Sequence, residues 1–204
     1  YAYVSNHISM DIFNISNVNS PILVGTYNTD PVNDIDVDVD GIYAYISCSY
    51  NGMKIIDVSN PANPILVGSS TNPRQASAIT VSGSYAYVGD WDYGFKVLDV
   101  SNSSNPIQVG YCATPVSAGH IVLSGNYAYM ASSQGQVVID IHDPANPIVV
   151  GLYSLPGYYG TGIFSIRGNY LYLPNSYYGR RKIDISDPTN PHEVGCYIIE
   201  NTGF

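Results

Sequence analysis

The side chains with chemistry to offer stand in four arrangements. Asp57, Asp99, Asp140 and Asp184 are carboxylates at near-equal intervals, and a carboxylate is a common general acid or base. The stretch "DVDVDG" (36–41) sets Asp36, Asp38 and Asp40 before Gly41, echoing the first half of a calcium-binding loop. Trp91, the only tryptophan, lies between Asp90 and Asp92 with Tyr93 beside it. An exposed ring so flanked can stack on a sugar while the acids accept its hydroxyls, and Tyr158, Tyr159, Tyr177 and Tyr178 would extend such a platform. Arg180, Arg181 and Lys182 supply three of the seven positive charges, and five aspartates, Asp34 and Asp36 among them, lie between 30 and 40.

Composition narrows what these groups serve. The 204 residues are 45% apolar, ample for a buried core, and only 11% charged against roughly 25% in ordinary soluble domains. Tyrosine reaches 20, a mixture suited to secreted or cell-surface β proteins. A net charge of -9 with seven Lys and Arg excludes general nucleic-acid binding, which needs a basic face. No run approaches the ~18 apolar residues of a membrane-spanning helix. Cys48, Cys112 and Cys196 are odd in number and lack CxxC spacing, so they read as free thiols. The chain opens on Tyr1, which predicts either a processed start or a segment of a longer chain.

The elements that must position these residues are written as a repeat. "YAYV" at Tyr1 returns as "YAYI" at Tyr43, "YAYV" at Tyr85, "YAYM" at Tyr127 and "YLYL" at Tyr170. "DVSNPANPILVG" (57–68) returns at 99–110, 140–151 and 184–195, with a looser copy at 14–25. Each period of about 42 residues reads as four short strands. An alternating run ends in glycine, and a two-residue turn with glycine first, such as Gly83-Ser84, suits a type II′ hairpin. The Tyr-Ala-Tyr strand, a third strand and, after an Asn/Pro turn, the "ILVG" strand follow. No helical periodicity survives the density of Pro and Gly.

Four strands per 42 residues without a helix predicts an all-β chain, a β-propeller of five four-stranded blades within a longer precursor, with part of a larger ring as the second reading and a β-solenoid as the third. Both faces of the Tyr-Ala-Tyr strand are apolar, as when sheets stack on neighbours. The chain is one domain, 1–204, with repeats 1–42, 43–84, 85–126, 127–169 and an incomplete 170–204. The inventory is 19 strands, because one blade lacks its first strand within this segment. A closed ring would draw that strand from outside the segment or from a neighbouring subunit.

The run "KIIDVSNPANPILVGSS" followed by "AITVSGSYAYVGD" resembles the LVIVD-repeat family of bacterial and archaeal surface or secreted proteins. The resemblance covers essentially the whole chain. It implies a β-propeller fold and an extracellular or cell-surface location, and it carries no catalytic motif. Asn14 departs from the aspartate of the other repeats, Val18 stands where Pro61 does, and Lys182 fills a slot that is Ile12, Ile55, Val97 and Val138 elsewhere.

Against this frame the chemistry sorts itself. A catalytic site is one asymmetric constellation, whereas Asp57, Asp99, Asp140 and Asp184 recur once per repeat, so they are expected to accept N–H groups of the turns that follow. The calcium pattern lacks the terminal glutamate, Ser47 standing there, yet strand alternation puts Asp36, Asp38 and Asp40 on one face, where mutual repulsion invites a cation. No cofactor is expected apart from that calcium. Asp34 and Asp36 are expected to face Arg180, Arg181 and Lys182, across a closed ring or between subunits. His7, His120, His142 and His192 form no metal pair, and His120 falls on a first strand near the ring axis. Asn14 and Asn102 satisfy the N-glycosylation sequon. The expectation is a non-enzymatic extracellular scaffold, binding protein partners or itself, as in a filament. A carbohydrate-binding or carbohydrate-active propeller is the alternative, and a calcium-stabilised adhesion domain the third reading.

Overall fold

The computed structural model describes residues 1–29, 36–91, 93–114, 118–154, 162–175 and 179–197, and every regular element among them is a β-strand. The first sheet holds β1 (Ala2–Ser5), β2 (Ser9–Asn14) and β3 (Ile22–Asn28). The second holds β4 (Val37–Asp40), β5 (Tyr43–Ser47), β6 (Met53–Asp57) and β7 (Ile65–Ser70). The third holds β8 (Ala76–Ser82), β9 (Tyr85–Asp90), β10 (Gly94–Asp99) and β11 (Ile107–Cys112). In the fourth are β12 (Ile121–Ser124), β13 (Tyr127–Ser132), β14 (Gly135–Asp140) and β15 (Ile148–Ser154). The fifth has β16 (Ser165–Arg167), β17 (Tyr170–Asn175), β18 (Gly179–Asp184) and β19 (His192–Tyr197). All pairs are antiparallel, each strand bonded to its neighbour in sequence, and the strand missing from the first sheet is the one the repeat count predicts.

The turns follow from their residues. Gly41, Gly83, Gly125 and Gly168 open the two-residue hairpins with φ of 57 to 59°, and Ser49 is the sole non-glycine at positive φ among the described residues. A positive φ at the first turn position alone is the type II′ geometry. At the far end of each sheet two Asx turns follow one another. Asp57 Oδ1 accepts the Ser59 N–H at 2.8 Å and Asn60 Oδ1 accepts the Ala62 N–H at 3.2 Å, and the same pairing recurs from Asp99, Asp140 and Asp184. Asn14 does the same for Ser16 at 2.9 Å, so its departure from aspartate leaves the turn intact.

A further regularity explains the closing Val-Gly of each phrase. The register slips by one residue between the third and fourth strands of every sheet, at Ile12/Phe13, Ile55/Ile56, Val97/Leu98, Val138/Ile139 and Lys182/Ile183. The unpaired residue is Val24, Val67, Val109, Val150 or Val194, a β-bulge that bends the outer strand just before the glycine. That glycine is where the next sheet arrives. A Cβ on Gly25, Gly68, Gly110 or Gly151 would overlap the backbone carbonyl oxygen of Pro61, Ser103, Pro144 or Pro188, each in the turn of the following sheet.

Between the sheets the interior is dry. Met10 and Ile12 pack on Ala44, Ile46 and Ile56, and Met53 and Ile55 pack on Ala86, Val88 and Leu98. Phe95 and Val97 meet Ala128, Met130 and Ile139, and Tyr129 and Val138 meet Leu171, Leu173 and Ile183. Each such side chain contributes about 1.5–3 kcal/mol on burial, so the joints carry much of the stability. First strands of successive sheets adjoin, β4 on β8, β8 on β12 and β12 on β16, while the fourth strands lie outermost with Ile22, Ile65, Ile107 and Ile148 all more than half exposed. Four of the five expected four-stranded sheets are therefore present, the first having three strands, and the expected two-sided burial holds for Ala44 with Tyr45, Ala86 with Tyr87 and Ala128 with Tyr129. The five sheets are not closed into a ring: among the described residues, a Cβ on Gly195 meets nothing but the Lys182 Cβ, at 3.9 Å.

The joint predicts its own weak point. Gly68→Ala sets a methyl against the Ser103 carbonyl and is expected to cost roughly 1–3 kcal/mol, read as a lowered urea midpoint with unchanged slope.

Candidate functional site

Asp90 ends β9 and is fully buried, so it is not the exposed sugar acceptor that its position beside Trp91 suggests. Its carboxylate accepts the Lys96 ammonium at 2.7 Å and the backbone N–H groups of Arg74 and Gln75 at 2.9 and 3.3 Å. Lys96, buried on β10, also donates to Asn72 Oδ1 at 2.8 Å, and its Nζ lies 5.6 Å from the Tyr93 ring centre. The Trp91 backbone N–H donates to the Gln75 carbonyl at 3.0 Å. A buried ion pair thus clamps the β9–β10 hairpin onto the segment leading into β8. Trp91 and Tyr93, 38% and 43% exposed, stand on that hairpin. Asp92, Tyr158, Tyr159, Tyr177 and Tyr178 lie outside the described residues.

The acidic stretch meets N–H donors. Asp36 accepts the Ile79 N–H at 3.0 Å, and Asp38 accepts the Val81 N–H at 2.7 Å and the Thr80 hydroxyl at 3.1 Å. Both carboxylates therefore tie β4 to β8, the first strand of the next sheet. Burial pushes the Asp36 carboxyl up, against the Ile79 N–H and nearby His120, which pull it down. Asp40 is exposed. The calcium expectation rested on three unopposed carboxylates, and the structure supplies the opposing donors; among the described residues no three His, Cys, Asp or Glu side chains gather around one point.

The basic stretch divides between two faces of β18. Arg181 meets Glu193 of the neighbouring strand β19 in its own sheet, and Tyr153 Oη of the fourth sheet donates to the same carboxylate at 2.7 Å. Burial and that carboxylate push the Tyr153 phenol up to about 12. Arg180 and Lys182 point the other way, with Lys182 Nζ 3.6 Å from the Tyr170 ring centre. They flank an open hollow of about 540 Å³ with Tyr172, Pro174, Gly195 and Tyr197. Asp36 does not face this stretch, since its partner is β8, and Asp34 lies outside the described residues.

The other candidates are structural in placement. His120 stands edge-on to Phe164, ring centres 5.3 Å apart. Asn14 and Asn102 both turn their side-chain carbonyls into Asx turns. Cys48 is buried, Cys112 half-buried with its thiol pushed up to about 11 by burial, and Cys196 exposed, none in a disulfide. The partners that sequence reading missed are Lys96 for Asp90 and Tyr153 with Glu193 for Arg181. One signal was available: Lys54, Lys96 and Arg181 occupy the same position of three repeats, and Lys54 reaches back to Tyr27 of the preceding sheet and Lys96 to Asn72, just after the sheet before its own.

Five blade-like antiparallel sheets, joined by a repeated glycine-to-turn contact, define an all-β repeat protein. The LVIVD repeat matches at 1–29, 34–72, 73–114, 116–154 and 163–198, and the chain belongs to the LVIVD-repeat family. Curated proteins yield no significant match. Among solved structures, the computationally designed Ika8 protein superposes with a TM-score of 0.67 at 9% identity, over 96% of this chain and 60% of that one. A functionally unknown protein from Desulfotomaculum acetoxidans DSM 771 gives 0.68 at 16% identity, over 92% of this chain and 63% of that one. The chain thus spans about three fifths of the length of either structure, and the likeness is one of fold.

Two measurements follow. Asp90→Ala leaves Lys96 buried without its carboxylate and is expected to cost about 3–5 kcal/mol in denaturant unfolding. The turn carboxylates Asp57, Asp99 and Asp184 are held below the ordinary aspartate value by the serine two residues on, through its hydroxyl and N–H. A depressed folded value means stability present above the ordinary value and lost as pH falls through the depressed one, so the melting temperature should hold down to about pH 4 and drop below it. Asp36, raised by burial, acts with opposite sign as a single group.

Proposed function

We propose that the chain is a non-enzymatic scaffold, extracellular or on a cell surface, whose sheets stand as blades in an arc of a β-propeller and present a rim of loops to partners. The observation that carries this reading is where the buried chemistry goes. Asp36, Asp38 and Glu193 join one sheet to the next, Asp90 with Lys96 fixes a hairpin, and the repeated aspartates hold turns. A polar group fully engaged in holding strands together is not poised to transfer a proton to a substrate. The loops between second and third strands meanwhile expose Tyr50, Trp91 and Tyr93. Antibody against the chain should label intact cells of its source as strongly as permeabilised ones; labelling that needs permeabilisation would sink the surface assignment.

One observation favours a second reading, glycan recognition. Trp91 and Tyr93 are half-exposed rings on a hairpin held by a buried ion pair, and a rigid aromatic perch suits the apolar face of a sugar. Trp91→Ala is expected to weaken binding in a glycan screen by about threefold to tenfold without lowering the melting temperature. Equal binding by both proteins removes this reading.

A further inference from the structure

The contact that joins the sheets is made four times, and both halves of a fifth are left uncovered by the described residues. Gly25, Gly68, Gly110 and Gly151 each receive the carbonyl of the next sheet's turn, while Gly195, at the same place in the fifth sheet, receives none among the described residues. The turn with no glycine beneath it is that of the first sheet, where Val18 stands at the position of Pro61, 76% exposed. Tyrosines tell the same story: Tyr45, Tyr87 and Tyr129 are 4%, 5% and 2% exposed beneath the following sheet, and their counterpart Tyr172 is 39% exposed.

The charges at the two ends are opposite. On the open face of the fifth sheet Arg180 and Lys182 replace Met10, Met53, Phe95 and Gln136, and Ile12, Ile55, Val97 and Val138. On the open face of the first sheet Asp11 stands where Lys54, Lys96, Val137 and Arg181 stand in the others. Within the chain this position reaches the preceding sheet's fourth strand: Lys54 Nζ lies 6.0 Å from the Tyr27 ring centre, and Tyr27 pairs with Met10. By the same geometry Asp11 would arrive at Tyr197 and its strand partner Arg180.

We propose that the open face of the fifth sheet binds the open face of the first sheet of a second copy of this chain, head to tail. The 14–21 turn of the second copy seats on Gly195, and its Asp11 faces Arg180. This deepens the scaffold reading and rests on it. Lys182 is covered in the process, with the Tyr170 ring already beneath its ammonium. Burying a cation where the internal joints bury isoleucine or valine makes this join weaker than those, and so reversible. Because the paired patches differ, the contact is heterologous and propagates from copy to copy.

Sedimentation velocity of the full chain over about a hundredfold concentration range tests the contact. The expected result is mass growing with concentration and falling with added salt. Gly195→Val places its Cβ in open space in the single chain, so it should abolish growth while leaving the melting temperature unchanged. Arg180→Glu should weaken association at least about tenfold, and adding Asp11→Lys to it should restore association. The Asp11 carboxylate also accepts the Thr26 hydroxyl at 2.8 Å; should Asp11→Lys loosen the first sheet, the other two variants still decide. A chain that stays monomeric throughout means that the charged fifth face is a solvated cap and overturns the proposal, as does growth unaltered in Gly195→Val. If cells are labelled at the surface while the chain is monomeric, the head-to-tail contact fails alone and the scaffold reading stands.

Discussion

A backbone carbonyl can sit directly on another strand only where that strand has no Cβ, and the stacking of these sheets depends on that steric fact. Four glycines provide the bare spot, and four turns provide the oxygen. The rest of the repeated phrase follows. The bulged valine turns the strand so that glycine lies where the turn arrives, and two successive Asx turns fix the carbonyl in space. Proline near that carbonyl narrows the turn's alternatives before folding, which lowers the entropy lost on ordering it. The twelve-residue phrase therefore encodes an interface as much as a turn.

Placing carboxylates where they are buried or half-buried has a cost, and donors offset it at Asp36, Asp38 and Asp90. A carboxylate between two sheets loses water, and hydrogen-bond donors must replace that water. Asp38 finds two donors on the next sheet, and Asp90 finds an ammonium with two N–H groups. These pairs add direction to joints otherwise made of Ile, Val, Met and Ala, whose packing alone would tolerate a small slide of one sheet over the next. The low total charge fits this use: few ionised groups are present, and many of the described ones have assigned partners.

Much of the fold was legible because it is local and repeated. The period, the strand number, the II′ hairpins and the Asx turns each depend on residues within a few positions of one another, and five copies make the signal redundant. Asp90 was not legible, because flanking Trp91 and Asp92 made it look exposed while its partners lie 6, 15 and 16 residues away. Asp36 and Asp38 reach across 42 or 43 residues to β8, one full repeat, so no local pattern could announce their donors. Closure of the ring was undetermined for a related reason. The period fixes what each sheet is, whereas the angle between sheets is set by side chains packed from two repeats at once.

The departures from the repeat carry unequal information, and the structure separates them. Asn14 for aspartate changes nothing in the turn, since an amide oxygen accepts the Ser16 N–H as a carboxylate oxygen does for Ser59. Val18 for proline keeps the backbone carbonyl, which is the part that the glycine contact uses elsewhere in the chain. Lys182 differs in kind: at a buried position an ammonium would require a partner that isoleucine does not, and the chain provides the Tyr170 ring face. A cation at this position is tolerable only in the sheet that no described sheet follows. The residue that most violates the repeat thus lies on the face of the fifth sheet that no described sheet covers, and Asp11 lies on the corresponding face of the first.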